Sequence, residues 1–282
     1  MYRTLSPHPL LAPWVRCYGA LDDVHTREAE EHQLYPECSI LLAFLHGESY
    51  LGAGADERRL PSVYVQEVRG FPVRLCSRGR TRMACVEFYP WGAIRLLGVK
   101  DAGFGSGAHP CFMPDMVSPL FTRRVVRLLE AGLLDEALRM IEEWLLARAA
   151  SVGLEATPAL TAATRLFESR GQASVQLVAE EVGLSVRQLE RQFQTQIGLP
   201  PKLLGRLSRF EAATHHIFAA QEPSFTRLAH ELGYADQAHF NREFRAFATK
   251  SPSTFLAETR EFVRRANREH VAFVQAERAA VF

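Results

Sequence analysis

Apolar residues come in short runs broken by Gly and Pro up to about Pro119. Residues 40–45 (ILLAFL) lie between Pro36 and Gly47, and residues 62–68 lie between Pro61 and Gly70. Residues 83–89 end at Pro90. Runs of this length, rich in β-forming types, predict the strands of a small barrel or sandwich. The period then changes. Leu134, Leu138, Ile141 and Leu145 recur at helical spacing, and Leu120, Arg124 and Leu128 open an earlier helix ending near Gly132. That predicts a helical hairpin over 119–150. It either covers the β domain or dimerises the chain, and dimerisation is the preferred reading because readers of paired sites gain from twofold symmetry. A small-residue linker follows, from Ala150 to Pro158. Helix resumes at Pro158, stops at Gly171 and fills the chain to about Thr259. A last helix is expected over 260–282, carrying Phe262, Ala266 and Phe273.

The fold class is therefore α+β. An N-terminal β-rich, barrel-like domain (1–118) carries the hairpin (119–150), and an all-α C-terminal domain (158–259) follows.

Within the helical half one phrase is written twice. Val178-Ala179-Glu180-Glu181-Val182-Gly183-Leu184 recurs as Leu228-Ala229-His230-Glu231-Leu232-Gly233-Tyr234. Each copy reads as an amphipathic helix stopped by a glycine that takes a left-handed turn without steric cost. Ser174 and Ser224 stand at the N-cap of the first helix, and Ser185 and Asp236 at the N-cap of the next. Leu177, Val178 and Val182 form the apolar face of the first unit, and Ala179 and Ala229 let two helices cross closely. In the second helices Leu189 and Phe193, then Phe240, Phe244 and Phe247, face inward. Arg187, Gln188, Glu190, Arg191 and Gln194 are left outside on one, and Gln237, His239, Asn241, Arg242 and Arg245 on the other. Two helix-turn-helix units, joined by a helix over 203–218, result.

An outward face of Arg, Gln and Asn suits the major groove. Arg pairs bidentately with guanine, Gln or Asn with adenine, and a carboxylate accepts from cytosine. A solvated helix face is the ordinary meaning of charges opposite an apolar stripe. Matching caps, small residue and glycine in both copies favour DNA.

Charge qualifies this. The chain of 282 residues has a net charge of +1. From Gly171 to Arg260, ten Lys/Arg face nine Asp/Glu. Non-specific attraction to phosphate is thus expected to be modest, and affinity to lean on base contacts, dimerisation or both.

The five cysteines (Cys17, Cys38, Cys76, Cys85, Cys111) are odd in number and never form C-x-x-C. They read as small core residues in a reducing cytoplasm, not a disulfide framework or zinc site. The N-terminal stretch lacks a basic segment followed by an apolar run, and no stretch approaches the ~20 apolar residues of a membrane span. A soluble, intracellular protein without membrane contact is expected.

On Ser174 to about Phe255 the pattern resembles the AraC/XylS family of bacterial transcription regulators. The residues that carry the likeness are the paired units, Phe193 followed by Gly198, Pro200 and Pro201, Arg209 with Ala212-Ala213, and Phe240 and Phe244 followed by Pro252. The resemblance implies base-facing positions at Arg187, Glu190, Arg191, Gln237, Ala238, Asn241 and Arg242. It also implies promoter DNA as partner, dimers on repeated half-sites, and contact with RNA polymerase if the protein activates. Ala248 and Thr249 depart from the pattern, where the family has an aromatic and a glycine, as does Leu256, where arginine is common.

The N-terminal half resembles the barrel-like sensor domains that precede such units, through Tyr35-Pro36-Glu37-Cys38 and residues 87–98. This implies a small-molecule effector, for which Trp14, Tyr35, Glu37, Tyr64 and Trp91 are the candidate ligand residues. A constitutive regulator whose N-terminal domain only dimerises or binds a protein partner is the alternative. An enzyme is the minor one: no His-x-His pair, phosphate loop or hydrolase motif is present, and no cofactor or metal is expected. Gly103-Phe104-Gly105-Ser106-Gly107 reads as a surface loop.

Overall fold

The computed structural model describes residues 2–52, 57–99, 116–220 and 222–265. The loop expected at 103–107, Cys111 and the tail beyond Arg265 lie outside these. The chain divides into two compact units. The first holds the residues up to Leu34, then Ser39–Arg69 and Val73–Leu154. The second holds Tyr35–Cys38, Gly70–Pro72 and the chain from Glu155 onward.

Among the described residues, six strands build the first unit: β1 (Tyr2–Leu5), β2 (Val15–Leu34), β3 (Ile40–Gly52), β4 (Arg58–Arg59), β5 (Val63–Gln66) and β6 (Val73–Phe88). They form one antiparallel sheet in the order β1-β2-β6-β3-β4, with β5 beside β3. Both faces of its centre are covered, which is why 40–45 reads as an unbroken apolar run rather than an alternation. On one face Ile40, Leu42 and Phe44 pair with Phe88, Val86 and Ala84, all fully buried. On the other, Ala43, Leu45 and Cys85 join Leu51, Leu60, Tyr64 and Val73 in a second apolar cluster.

The strands run longer than the apolar runs did. In β2 the paired segment continues through Asp22, Asp23 and His25, a stretch without apolar alternation. Cross-strand charges hold it. The Asp22 carboxylate accepts from Arg80 at 3.0 and 2.8 Å and from Arg82 at 3.1 Å. Hydrogen bonding from Arg80, then Arg82, holds that carboxyl below the usual carboxylate range.

Three helices also lie among the described residues of this unit: α1 (Pro90–Leu97), α2 (Pro119–Glu130) and α3 (Leu134–Val152). The first begins at the proline expected only to end a strand. Pro occupies its first turn, where the missing N–H costs nothing. The hairpin of α2 and α3 lies on the sheet. The Phe121 ring meets Phe44 at 5.9 Å and Trp144 at 5.3 Å. Arg82 donates to the last carbonyls of α2, Leu129 O at 3.1 Å and Glu130 O at 2.7 Å, where a cation also complements the helix dipole. The hairpin's inner face is therefore occupied within the chain, while Leu120 and Leu133 remain exposed on it.

The second unit is helical throughout its described residues from Glu155 on: α4 (Pro158–Glu168), α5 (Val175–Glu181), α6 (Val186–Gln196), α7 (Pro201–Ala219), α8 (Phe225–Glu231), α9 (Gln237–Ala248) and α10 (Pro252–Arg265). The last begins before Thr259 and crosses the boundary expected there. Leu204, Leu207, Phe210, Ala213 and Ile217 give α7 a fully buried stripe. Phe210 packs on Phe244 and Phe247 at 5.1 and 5.2 Å.

Candidate nucleic-acid interface

Two helix pairs, α5–α6 and α8–α9, stand on either side of α7 in the sequence. In each, the first helix buries the small alanine the repeat demanded, Ala179 and Ala229, and the turn glycine is left-handed, with φ 71° at Gly183 and 73° at Gly233. Ser185 caps α6 through a capping box. Its Oγ accepts from the Gln188 N–H at 3.3 Å, and Gln188 Oε1 accepts from the Ser185 N–H at 2.9 Å. Asp236 caps α9, its Oδ1 accepting from the His239 N–H at 2.6 Å. Ser224 accepts from the Arg227 N–H at 3.4 Å. Ser174 sits at the N-cap of α5 but makes no side-chain cap bond.

One expectation fails in α5. Leu177, assigned to the apolar face, is 58% exposed. The helix is short, and Val178 with Ala179 supplies its buried side, leaving Leu177 outside that stripe.

The two copies are not identical in length. Their glycines lie fifty positions apart, but the caps Ser185 and Asp236 lie fifty-one apart, so the second turn carries one more residue. Matched at the caps, Leu189 and Phe193 correspond to Phe240 and Phe244, all buried. Arg191 then corresponds to Arg242, Glu190 to Asn241, Arg187 to Ala238 and Gln194 to Arg245.

Arg187, Gln188, Glu190, Arg191, Gln237, Ala238 and Arg242 are exposed, and His239 and Asn241 half-buried. Three of these nine are already engaged. Gln188 serves the cap, Gln237 Oε1 accepts from Thr226 Oγ1 at 2.6 Å, and the His239 ring stands edge-on to Tyr234 at 5.3 Å. The arginines differ. Elsewhere in the domain Arg206 pairs with Glu243 at 2.7 Å, Arg227 with Glu231 at 2.9 Å, and Lys250 with Glu258. Arg187 and Arg191 on α6, and Arg242 and Arg245 on α9, carry no ion pair or side-chain hydrogen bond among the described residues, a property shared with Lys202 and Arg260. An unpaired guanidinium meets a base edge or phosphate without first breaking an ion pair.

The end of α9 shows what the departure at Thr249 does. Thr249 caps the helix at φ 60°, the left-handed conformation that costs a residue with a Cβ about 1–2 kcal/mol. Its Oγ1 donates to Ala248 O at 2.6 Å. Thr249→Gly is expected to stabilise the domain by about 0.5–1 kcal/mol, part of the relief being lost to glycine's freer unfolded chain. A raised urea midpoint checks this. A lowered one would mean that the Thr249 hydrogen bond outweighs the strain.

Of the five candidate ligand residues, three belong to the first unit and two to the second. Trp91 stacks on Tyr89 at 4.7 Å and its indole N–H donates to Pro13 O at 2.8 Å. Trp14 lies beside it, its carbonyl close over Gly92. Tyr64 is in the second apolar cluster, where burial holds its phenol above the usual tyrosine range. Tyr35 and Glu37 belong to the Tyr35–Cys38 segment of the second unit, and Tyr35 packs edge-on against Phe255 at 4.6 Å. Cys17, Cys38, Cys76 and Cys85 are buried. Among the described residues no cluster of three His, Cys, Asp or Glu could hold a metal, and no helix is long and apolar enough to cross a membrane.

Residues 178–258 match a family model described as a helix-turn-helix domain. This stretch is a helix-turn-helix domain of the AraC type. It is 40% identical over 76 residues to the transcriptional activator RhaS of Escherichia coli strain SE11. That match spans 27% of this chain and 27% of RhaS, so the chain covers about a quarter of the length of this relative. Among solved structures, ToxT of Vibrio cholerae aligns with 84% of this chain and 98% of its own, at 10% identity and a TM-score of 0.47. An AraC-type regulator from Chromobacterium violaceum aligns with 36% of this chain and 91% of its own, at 27% identity and a TM-score of 0.32.

Proposed function

We propose that the chain is a sequence-specific DNA-binding transcription regulator in which α6 and α9 read two successive major grooves. The observation that carries this is the pair of capped helices, in register from their caps, whose outward arginines carry no ion pair among the described residues, whereas Arg165, Arg206 and Arg227 of the same domain are each paired with a glutamate. On this reading Arg191 and Arg242 take guanine, Glu190 accepts from cytosine and Asn241 pairs with adenine. Gln188 and Gln237 act in the local structure of the reading helices rather than on bases. The protein works in the cytoplasm, is not an enzyme, and forms a homodimer through the outer face of the α2–α3 hairpin. If it activates transcription, it contacts RNA polymerase.

The N-terminal domain answers to a small-molecule effector or serves assembly alone. The packing of Trp14 and Trp91 against one another's segments, and of Tyr64 in a different apolar cluster, favours assembly.

Selection from a random duplex pool by the full-length protein tests the central reading. Two conserved segments centred about one helical turn apart are expected. Enrichment of nothing above bulk DNA would overturn it. Repeating the binding with fractionated cell metabolites separates sensor from assembly domain, since only a sensor shifts the operator Kd.

A further inference from the structure

Between the two helix-turn-helix units lies a set of contacts that none of the reading residues makes. The corner ahead of α5 presses on the connecting helix. Gly171 has φ 69°, and a Cβ there would lie 1.8 Å from Gly205 O of α7. Next along, Gln172 reaches the other unit, its Nε2 donating to Glu231 O, the last residue of α8, at 3.1 Å. Gln172 also lies against the turn at Gly233. Arg209 of α7 completes the set. One guanidinium nitrogen donates to Gly171 O, in the approach to the first unit. The guanidinium carbon sits 5.0 Å from the centre of the Tyr234 ring, in the turn of the second. Its Nε is buried without a hydrogen-bond partner.

We propose that Arg209, with Gln172, is a clasp that positions α6 against α9, so that the two helices dock on DNA as one rigid reader. Arg209 is a positioning residue here: it faces the two turns rather than the exposed helix faces. The chemistry suits the task. A guanidinium donates in its plane and stacks by its face at once, so one side chain grips a carbonyl and an aromatic ring that belong to different units. Burial holds the Tyr234 phenol above the usual tyrosine range, and Arg209 opposes that rise. Rigid coupling matters because a second recognition helix held at the right place binds at high effective concentration, whereas a loosely held one forfeits that gain.

The DNA consequence rests on the function proposed above, and the clasp itself does not. Two measurements on the full chain keep them apart. In Arg209→Met, amide exchange at 171–174 and 233–236 is expected to rise about tenfold while α6 and α9 keep wild-type protection. Gln172→Ala should loosen the same two segments, and Arg209→Lys should restore part of the protection. Unchanged exchange at both segments, or a uniform rise across all helices, would overturn the clasp.

The second measurement uses the DNA selected by the wild-type protein. One base pair inserted between the two segments moves the second by about 3.4 Å and roughly a tenth of a turn. The wild-type protein should lose at least about tenfold in affinity, and Arg209→Met less than about threefold, with single-segment affinities equal in both. If the variant keeps the full spacing penalty, or binds single segments more weakly in the same proportion, Arg209 does not set the geometry. If the wild-type protein selects no DNA, the proposed function fails, and the exchange data still decide the clasp.

Discussion

Gly171→Ala is expected to destabilise the helical domain by about 2–5 kcal/mol, read as a lowered urea midpoint with an unchanged slope. Two independent penalties meet at this residue. The methyl group would lie 1.8 Å from Gly205 O and 2.6 Å from its carbonyl carbon. Both are main-chain atoms of α7, which cannot swing away as a flexible side chain can, so the corner or the helix must shift. The φ of 69° adds the left-handed cost. Gly183 is the internal control. Its φ is 71°, but a Cβ there meets nothing within 4 Å. Gly183→Ala should therefore cost only about 1 kcal/mol. Equal effects at the two positions would show that close approach to α7 contributes nothing.

The largest effect on function is expected from Arg191 and Arg242. Each replaced by Ala should lose about 1–3 kcal/mol at the selected site, and the double variant about 2–6 kcal/mol if the two act in separate grooves. The informative quantity is specificity. Arg191→Ala should relax preference at one base pair, and Arg242→Ala at another about one turn away. Titrations against single-base variants of the site resolve this. A residue whose loss weakens every sequence equally contacts phosphate instead, and the salt dependence should then flatten by about one counterion.

What could be read beforehand followed from how strongly one physical constraint marks the sequence. The helical domain was legible because each of its signals, cap, small crossing residue, turn glycine and inward Phe, arises within a dozen residues and occurs twice. The centre of the sheet was legible in 40–45, where burial on both faces leaves only apolar residues. The distal half of β2 was not. It is held by the Asp22–Arg80–Arg82 pairing across strands, and such partners lie far apart in sequence with no period to betray them. The start of α1 hid behind Pro90, a residue that ends a strand and opens a helix equally well. Leu177 misled for the opposite reason: a helix of seven residues is too short for its period to fix a face. The aromatic candidates of the N-terminal half could not be placed beforehand because Trp and Tyr suit a ligand pocket and a packed core alike, and contacts such as the Trp91 indole N–H to Pro13 O arise only in the fold. The clasp at Arg209 gave no signal beyond a matching family position, since its meaning depends on Gly171 and Tyr234 meeting around one side chain.

The extra residue in the second turn sets a rule for anyone who would exchange reading heads between the two units. A transplant aligned on Gly183 and Gly233 puts Leu189 on His239 and Phe193 on Glu243, turning the graft by about 100° about the helix axis. The core residues would then leave the apolar stripe, and the polar Glu190 and Gln194 would fall on the buried positions of Phe240 and Phe244. Aligned on Ser185 and Asp236 instead, Arg191 falls on Arg242 and the apolar stripe is kept. Altered specificity in this scaffold is thus a matter of counting from the cap.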